Sequence, residues 1–147
     1  MKKLELVGLK ACPHCKRAIA YLMTEDGKHT LGIALDASRA QDLSTYREPG
    51  REKLLTDLLV QLLASSSYIP RQVVLDWNEE GFLFARVDLT TATFTCSAQE
   101  GVTFVAAAEI PLYATERILE LRHLFHPPDM ESGRTDLIQV KPKPTLH

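Results

Sequence analysis

The sequence predicts a single α+β domain in which β-hairpins are followed by helices. Three observations carry this: two strand–turn–strand patterns with glycine in the turn, a leucine-striped helix over residues 51–64, and helices that follow runs of strands instead of alternating with single ones. At 147 residues the chain can bury a core without disulfide or metal staples.

Residues 3–9 (Lys-Leu-Glu-Leu-Val-Gly-Leu) alternate and read as the first strand, and residues 10–16 form a loop carrying Cys12-Pro13-His14-Cys15. A second strand, Arg17 to Thr24, meets Glu25-Asp26-Gly27-Lys28. Asp-Gly between apolar runs is a strong hairpin signal, because glycine supplies the positive φ of the turn, and His29 to Leu35 returns as the third strand. Asp36 is placed to cap a helix to about Tyr46, its carboxylate accepting from first-turn N–H groups, and Glu48-Pro49-Gly50 breaks that helix.

The next helix spaces Leu54, Leu55, Leu58, Leu59, Leu62 and Leu63 as one wide apolar stripe, expected to face the core, with Thr56, Asp57 and Gln61 away from its centre. Gln72 to Trp77 and Phe82 to Leu89 form the second hairpin, and Thr91 to Cys96 reads as another strand. A small-residue helix follows over about Ala98 to Ala108. Ile110 to Tyr113 is a short buried strand, and Thr115 is placed to cap a final helix to about Phe125. The domain therefore spans 1–125, and 126–147 is a proline-rich tail expected at the surface.

Composition narrows the function classes. Apolar and charged fractions of 45% and 24% are those of a globular protein. A net charge of −2 excludes a broad basic footprint for nucleic acid, leaving only local clusters such as Lys16-Arg17 and Lys141 with Lys143. The absence of an apolar run of about 18 residues argues against a membrane span. The basic start with no apolar stretch behind it argues against a signal peptide. Three cysteines do not make a secreted disulfide framework, so a cytoplasmic location is expected.

The Cys12-x-x-Cys15 pair has three readings. Residues 4–20 resemble the opening of a glutaredoxin, in which a helix N-terminus stabilises the first thiolate, although 17–35 reads as a hairpin. As zinc ligands the two thiolates would need two more partners, for which Cys96, His14 and His29 are the candidates. The third reading is a loop with two free thiols.

Three collinear segments over about residues 3–122 resemble the bifunctional nuclease (BFN, DUF151) domain family. The first is Leu6-Val-Gly-Leu9 with Ala20 to Ile33, running into Asp36-Ala37 at a helix start. The second is Glu52-Lys-Leu-Leu-Thr-Asp-Leu-Leu59, similar to the family's Arg-Pro-Leu-Thr-His-Asp-Leu-Leu, followed by Val73 to Asp76 and Gly81 to Leu89. The third is Ser97 to Ala108 and then Ile110-Pro-Leu-Tyr-Ala-Thr-Glu-Arg-Ile-Leu119, like the family's Arg-Pro-Ser-Asp-Ala helix and Ala-Pro-Ile-Tyr-Val strand. The resemblance implies an α+β fold and cleavage of DNA and RNA.

It also places acidic groups at three family positions, Asp36, Asp57 and Glu100, while Glu52, Lys53, Thr56 and Ser97-Ala98-Gln99 replace other motif residues. Metal-assisted phosphodiester hydrolysis needs carboxylates that hold Mg²⁺ or Mn²⁺ against the phosphate, which these three would supply if their helix starts converge. The structural alternatives are a helix cap for Asp36, a solvated position for Asp57 and a first-turn macrodipole contact for Glu100. A catalytically silent interaction or regulatory module, paired with another copy or a protein partner, is the alternative from another class. Trp77, Phe82, Phe84 and Phe94 are read either as base-stacking groups or as core and dimer surface.

Overall fold

A computed structural model describes residues 1–14 and 17–120, together with the backbone of 137–139. In chain order the elements are β1 (Lys2–Ala11), β2 (Ala18–Thr24), β3 (Thr30–Leu35), α1 (Ala37–Tyr46), α2 (Leu55–Ala64), β4 (Pro70–Trp77), β5 (Leu83–Leu89), β6 (Thr93–Ser97), α3 (Ala98–Ala108), β7 (Leu112–Ala114), α4 (Glu116–Glu120) and β8 (Leu137–Gln139). The architecture is α+β, as the hairpin-then-helix order predicts.

The strands form one mixed sheet in the order β3-β2-β1-β7-β4-β5-β6, with β8 paired to β1. β1 is its organiser. One edge takes β2, with a bulge between Leu6 and Gly8 that shifts the register. The other edge is shared: Lys2 to Leu4 pair with β7, and Gly8 to Lys10 pair with β8. The expected tail at 126–147 therefore contributes a strand at 137–139; the rest of it, and the expected continuation of the last helix from 121 to 125, lie outside the described residues.

The Asp-Gly turn closes as its composition requires. Gly27 has φ of +72° and its N–H donates to the Thr24 carbonyl, while Asp26 Oδ1 accepts from the Thr24 hydroxyl and from Lys28 N–H. Period-two alternation puts Leu22, Leu31, Ile33, Leu35, Val73, Leu75 and Ala85 in one core with Leu43 of α1 and Val102 of α3. The closest approach is at Gly101. A Cβ there would fall far inside van der Waals contact of the Ala85 methyl and 3.2 Å from Val73 Cγ1, so only glycine lets α3 lie this close to β4 and β5.

The leucine helix departs from expectation in two ways. It begins at Leu55, because Leu54 is extended and the Asp57 carboxylate accepts from Leu54 N–H at 2.7 Å, as the third helical residue does in a capping box. Its leucine stripe also faces outward. Leu55, Leu58, Leu59 and Leu62 are 82%, 51%, 47% and 59% exposed, and the single buried residue of α2 is Asp57. The helix is apolar on two sides, so Val60 and Leu63, with Leu54 before them, serve the inner contact while the wider stripe is left over. Among the described residues no helix is long and apolar enough to cross a membrane.

Candidate functional site

The site is built where α1 and α3 begin. Asp36 caps α1, with Oδ1 accepting from Arg39 N–H at 2.8 Å, and Ser97 caps α3, its hydroxyl oxygen accepting from Glu100 N–H at 3.3 Å. Gln99 ties the two starts together. Its Oε1 accepts from Asp36 N–H at 2.9 Å, and its Nε2 donates to Asp36 Oδ2 at 3.3 Å. Arg39 completes the cluster, with Nη1 at 2.6 Å from Glu100 Oε1 and Nη2 at 3.1 Å from Asp42 Oδ2. The Glu100 carboxylate raises the Arg39 pKa further above its ordinary value, so this cation stays charged at any working pH. Asp36 and Glu100 are exposed, Asp36 at the N-cap of α1 and Glu100 in the first turn of α3, where unsatisfied N–H groups favour an anion.

Asp57 stands elsewhere. Arg51 grips it bidentately, Nη1 to Oδ2 and Nη2 to Oδ1, both at 2.7 Å, and Oδ2 also accepts from Leu54 N–H. The side chains of Arg51 and Asp57 are only 16% and 9% exposed. Hydrogen bonding from Arg51 outweighs burial and holds the Asp57 pKa down to about 2. The Arg51 guanidinium also lies 4.6 Å from the ring centre of Tyr46, the last residue of α1, whose hydroxyl pKa is pushed up mainly by burial. Asp36 and Tyr46 bracket α1, so ten residues at 1.5 Å rise put the two clusters about 15 Å apart. The same order holds on α3: Glu100 in its first turn meets Arg39, and Glu109 at its C-cap contributes to the field on Arg51.

The structure therefore brings Asp36 and Glu100 together and leaves Asp57 at the far end of α1, where it is buried instead of solvated as the stripe pattern suggested. Arg39 and Arg51 were not singled out in the sequence, and Gln99 figured there only as the replacement of a motif residue. Arg51 had a local signal: Leu54-x-x-Asp57 has capping-box spacing, and an arginine just before it is well placed to neutralise the carboxylate. Arg39 and Gln99 act across more than 60 residues and had none.

The cysteine loop is a hairpin connection. Ala11 pairs with Ala18, Cys12 N–H donates to the Arg17 carbonyl at 2.7 Å, and the chain continues as β2, so Cys12 does not stand at a helix N-terminus as a glutaredoxin-like opening requires. Cys15 lies outside the described residues. Cys96 is on β6, four strands from β1, and burial with the Glu100 charge pushes its thiol pKa up. Among the described residues no three His, Cys, Asp or Glu side chains stand close enough to hold a metal ion together.

Of the aromatic residues, Trp77 packs on the core while Phe82 and Phe94 are exposed. The Thr115 hydroxyl donates to Asp76 Oδ1, which also accepts from Arg117, so this corner is structural. No family model matches this sequence, and no curated protein matches it either.

Proposed function

We propose that the chain is a divergent bifunctional-nuclease-type domain that hydrolyses phosphodiesters of DNA or RNA at the paired N-termini of α1 and α3. The observation that supports this reading is the junction of Asp36 and Glu100, distant in sequence, around the Arg39 cation. Two carboxylates fit a hard divalent cation that takes its remaining ligands from water and the substrate phosphate. Asp36 and Glu100 would hold such a Mg²⁺ or Mn²⁺ ion, which supplies charge neutralisation and polarisation of the phosphoryl oxygen. Asp57 does not fit, because it is buried and its charge is already neutralised by the bidentate Arg51 guanidinium, whereas Asp36 is exposed and held by uncharged donors.

Arg39 would exchange part of its pairing with Glu100 for a phosphate oxygen, as a guanidinium fork suits either anion. First-turn N–H groups of both helices add favourable potential for the same phosphate. Cys96 carries a free thiol, which suits a reducing cytoplasm.

The test is hydrolysis of plasmid DNA and of RNA by the purified chain with Mg²⁺ or Mn²⁺. Cleavage that disappears with chelator and returns with metal is expected; no cleavage with either ion and either substrate would overturn the reading. One observation favours a second reading, an interaction module, namely the outward leucine face of α2.

A further inference from the structure

We propose that two copies of this chain pair through the outer face of α2. Leu55, Leu58, Leu59 and Leu62 recur at i, i+3, i+4 and i+7, the spacing that lets one helix pack along another. Such a stripe is covered by a second helix or not at all; a surface helix otherwise carries polar residues there. The patch continues past the helix. Thr90 Oγ1 donates to the Ser67 carbonyl and Thr90 N–H to the Ile69 carbonyl, which ties the exposed Tyr68 and Ile69 to the turn of the β5–β6 hairpin. Phe94 on that hairpin pairs with Val87 and shares its sheet face with Val73 and Leu112, the face that carries α3.

Area and charge select the occupant. From their fractional exposures the four leucines contribute roughly 500 Å², and Tyr68, Ile69 and Phe94 bring the exposed area of these residues to roughly 800 Å², above the largest apolar patch of a typical monomer. That is about what each partner contributes to a standard stable interface. It is also roughly a tenth of the 9132 Å² total surface, the usual share for a small protein. The stripe contains no charge, so nothing in it selects a charged partner. Its flanks are self-compatible in an antiparallel two-fold pairing: Glu52 and Lys53, of opposite sign, meet the uncharged Ser65 to Ser67 of the other copy.

The test is the solution mass of the full chain by light scattering and sedimentation over a range of concentration, with Leu59→Glu/Leu62→Glu as the variant. Both positions are exposed in the single chain, so the variant keeps its circular dichroism spectrum and behaves as a folded monomer. The wild type is expected at twice the 16.5 kDa chain mass, with the variant's dissociation constant raised at least about 100-fold. A wild type that stays at one chain mass at 100-fold the working concentration overturns the proposal, even if it captures another protein. So does a variant that dimerises as tightly as the wild type. Neither outcome bears on hydrolysis at α1 and α3, so the two proposals fail separately.

Discussion

Replacing Arg51 by alanine removes both guanidinium bonds from Asp57 and leaves a carboxylate buried with Leu54 N–H as its remaining partner. Stripping one partner from a buried ion pair costs about 3–5 kcal/mol, and the residual exposure of Arg51 places this pair toward the low end. The Asp57 pKa gives a consistent figure. Lowering it from 3.8 to about 2 corresponds to about 2.5 kcal/mol of folding free energy.

The sign follows from the direction of that shift. A depressed folded-state pKa contributes stability that is present above about pH 4, where the unfolded carboxyl is also ionised. That stability is lost as pH falls toward 2, because the unfolded chain takes up the proton first. Urea unfolding at pH 7 should show Arg51→Ala destabilised by about 2–3 kcal/mol. From pH 5 to 2 the wild type should lose more stability than the variant, because the variant has already lost the pair. A variant within about 0.5 kcal/mol of wild type, or parallel acid curves for the two proteins, would mean that Arg51 does not hold the Asp57 charge in the folded chain.

Three further outcomes follow from the packing and the caps. Gly101→Ala pushes a methyl group into Ala85 and should cost about 1–3 kcal/mol, read as a thermal midpoint several degrees lower; an unchanged midpoint would mean that α3 does not lie this close to the sheet. Asp36→Ala should lose about 1 kcal/mol of stability while Asp36→Asn, which can still cap α1, loses a few tenths, as urea titration would show. Cys96 should react with iodoacetamide at pH 8 more slowly than a solvent-exposed cysteine of a short peptide, measured by mass spectrometry of the labelled chain, because burial and the Glu100 charge push its thiol pKa up.

Much of the fold was legible because its signals are local. Asp26-Gly27 dictates a turn whatever surrounds it, Asp36 caps the helix it precedes, and α3 runs from Ala98 to Ala108 where the small-residue pattern places it. The orientation of α2 was not legible. A helix with apolar residues on two sides does not announce which stripe faces inward, and the decision falls to Asp57, whose buried partner Arg51 lies outside the helical period. The pairing of Asp36 with Gln99 and of Glu100 with Arg39 depends on two helix starts meeting across the sheet, which no local pattern encodes. The split edge of β1, shared by β7 and β8, is non-local in the same way.

If the proposed function holds, α1 has a reactive end at Asp36 and Glu100 and a structural end at Asp57. The most direct measurement compares RNA hydrolysis rates at saturating Mg²⁺, well below every variant's unfolding temperature, for wild type, Asp36→Asn/Glu100→Gln and Asp57→Asn. A loss of about 100-fold or more is expected in the double variant, and a rate within about threefold of wild type for Asp57→Asn. A double variant that cleaves at the wild-type rate, or a loss confined to Asp57→Asn, would contradict this division of α1.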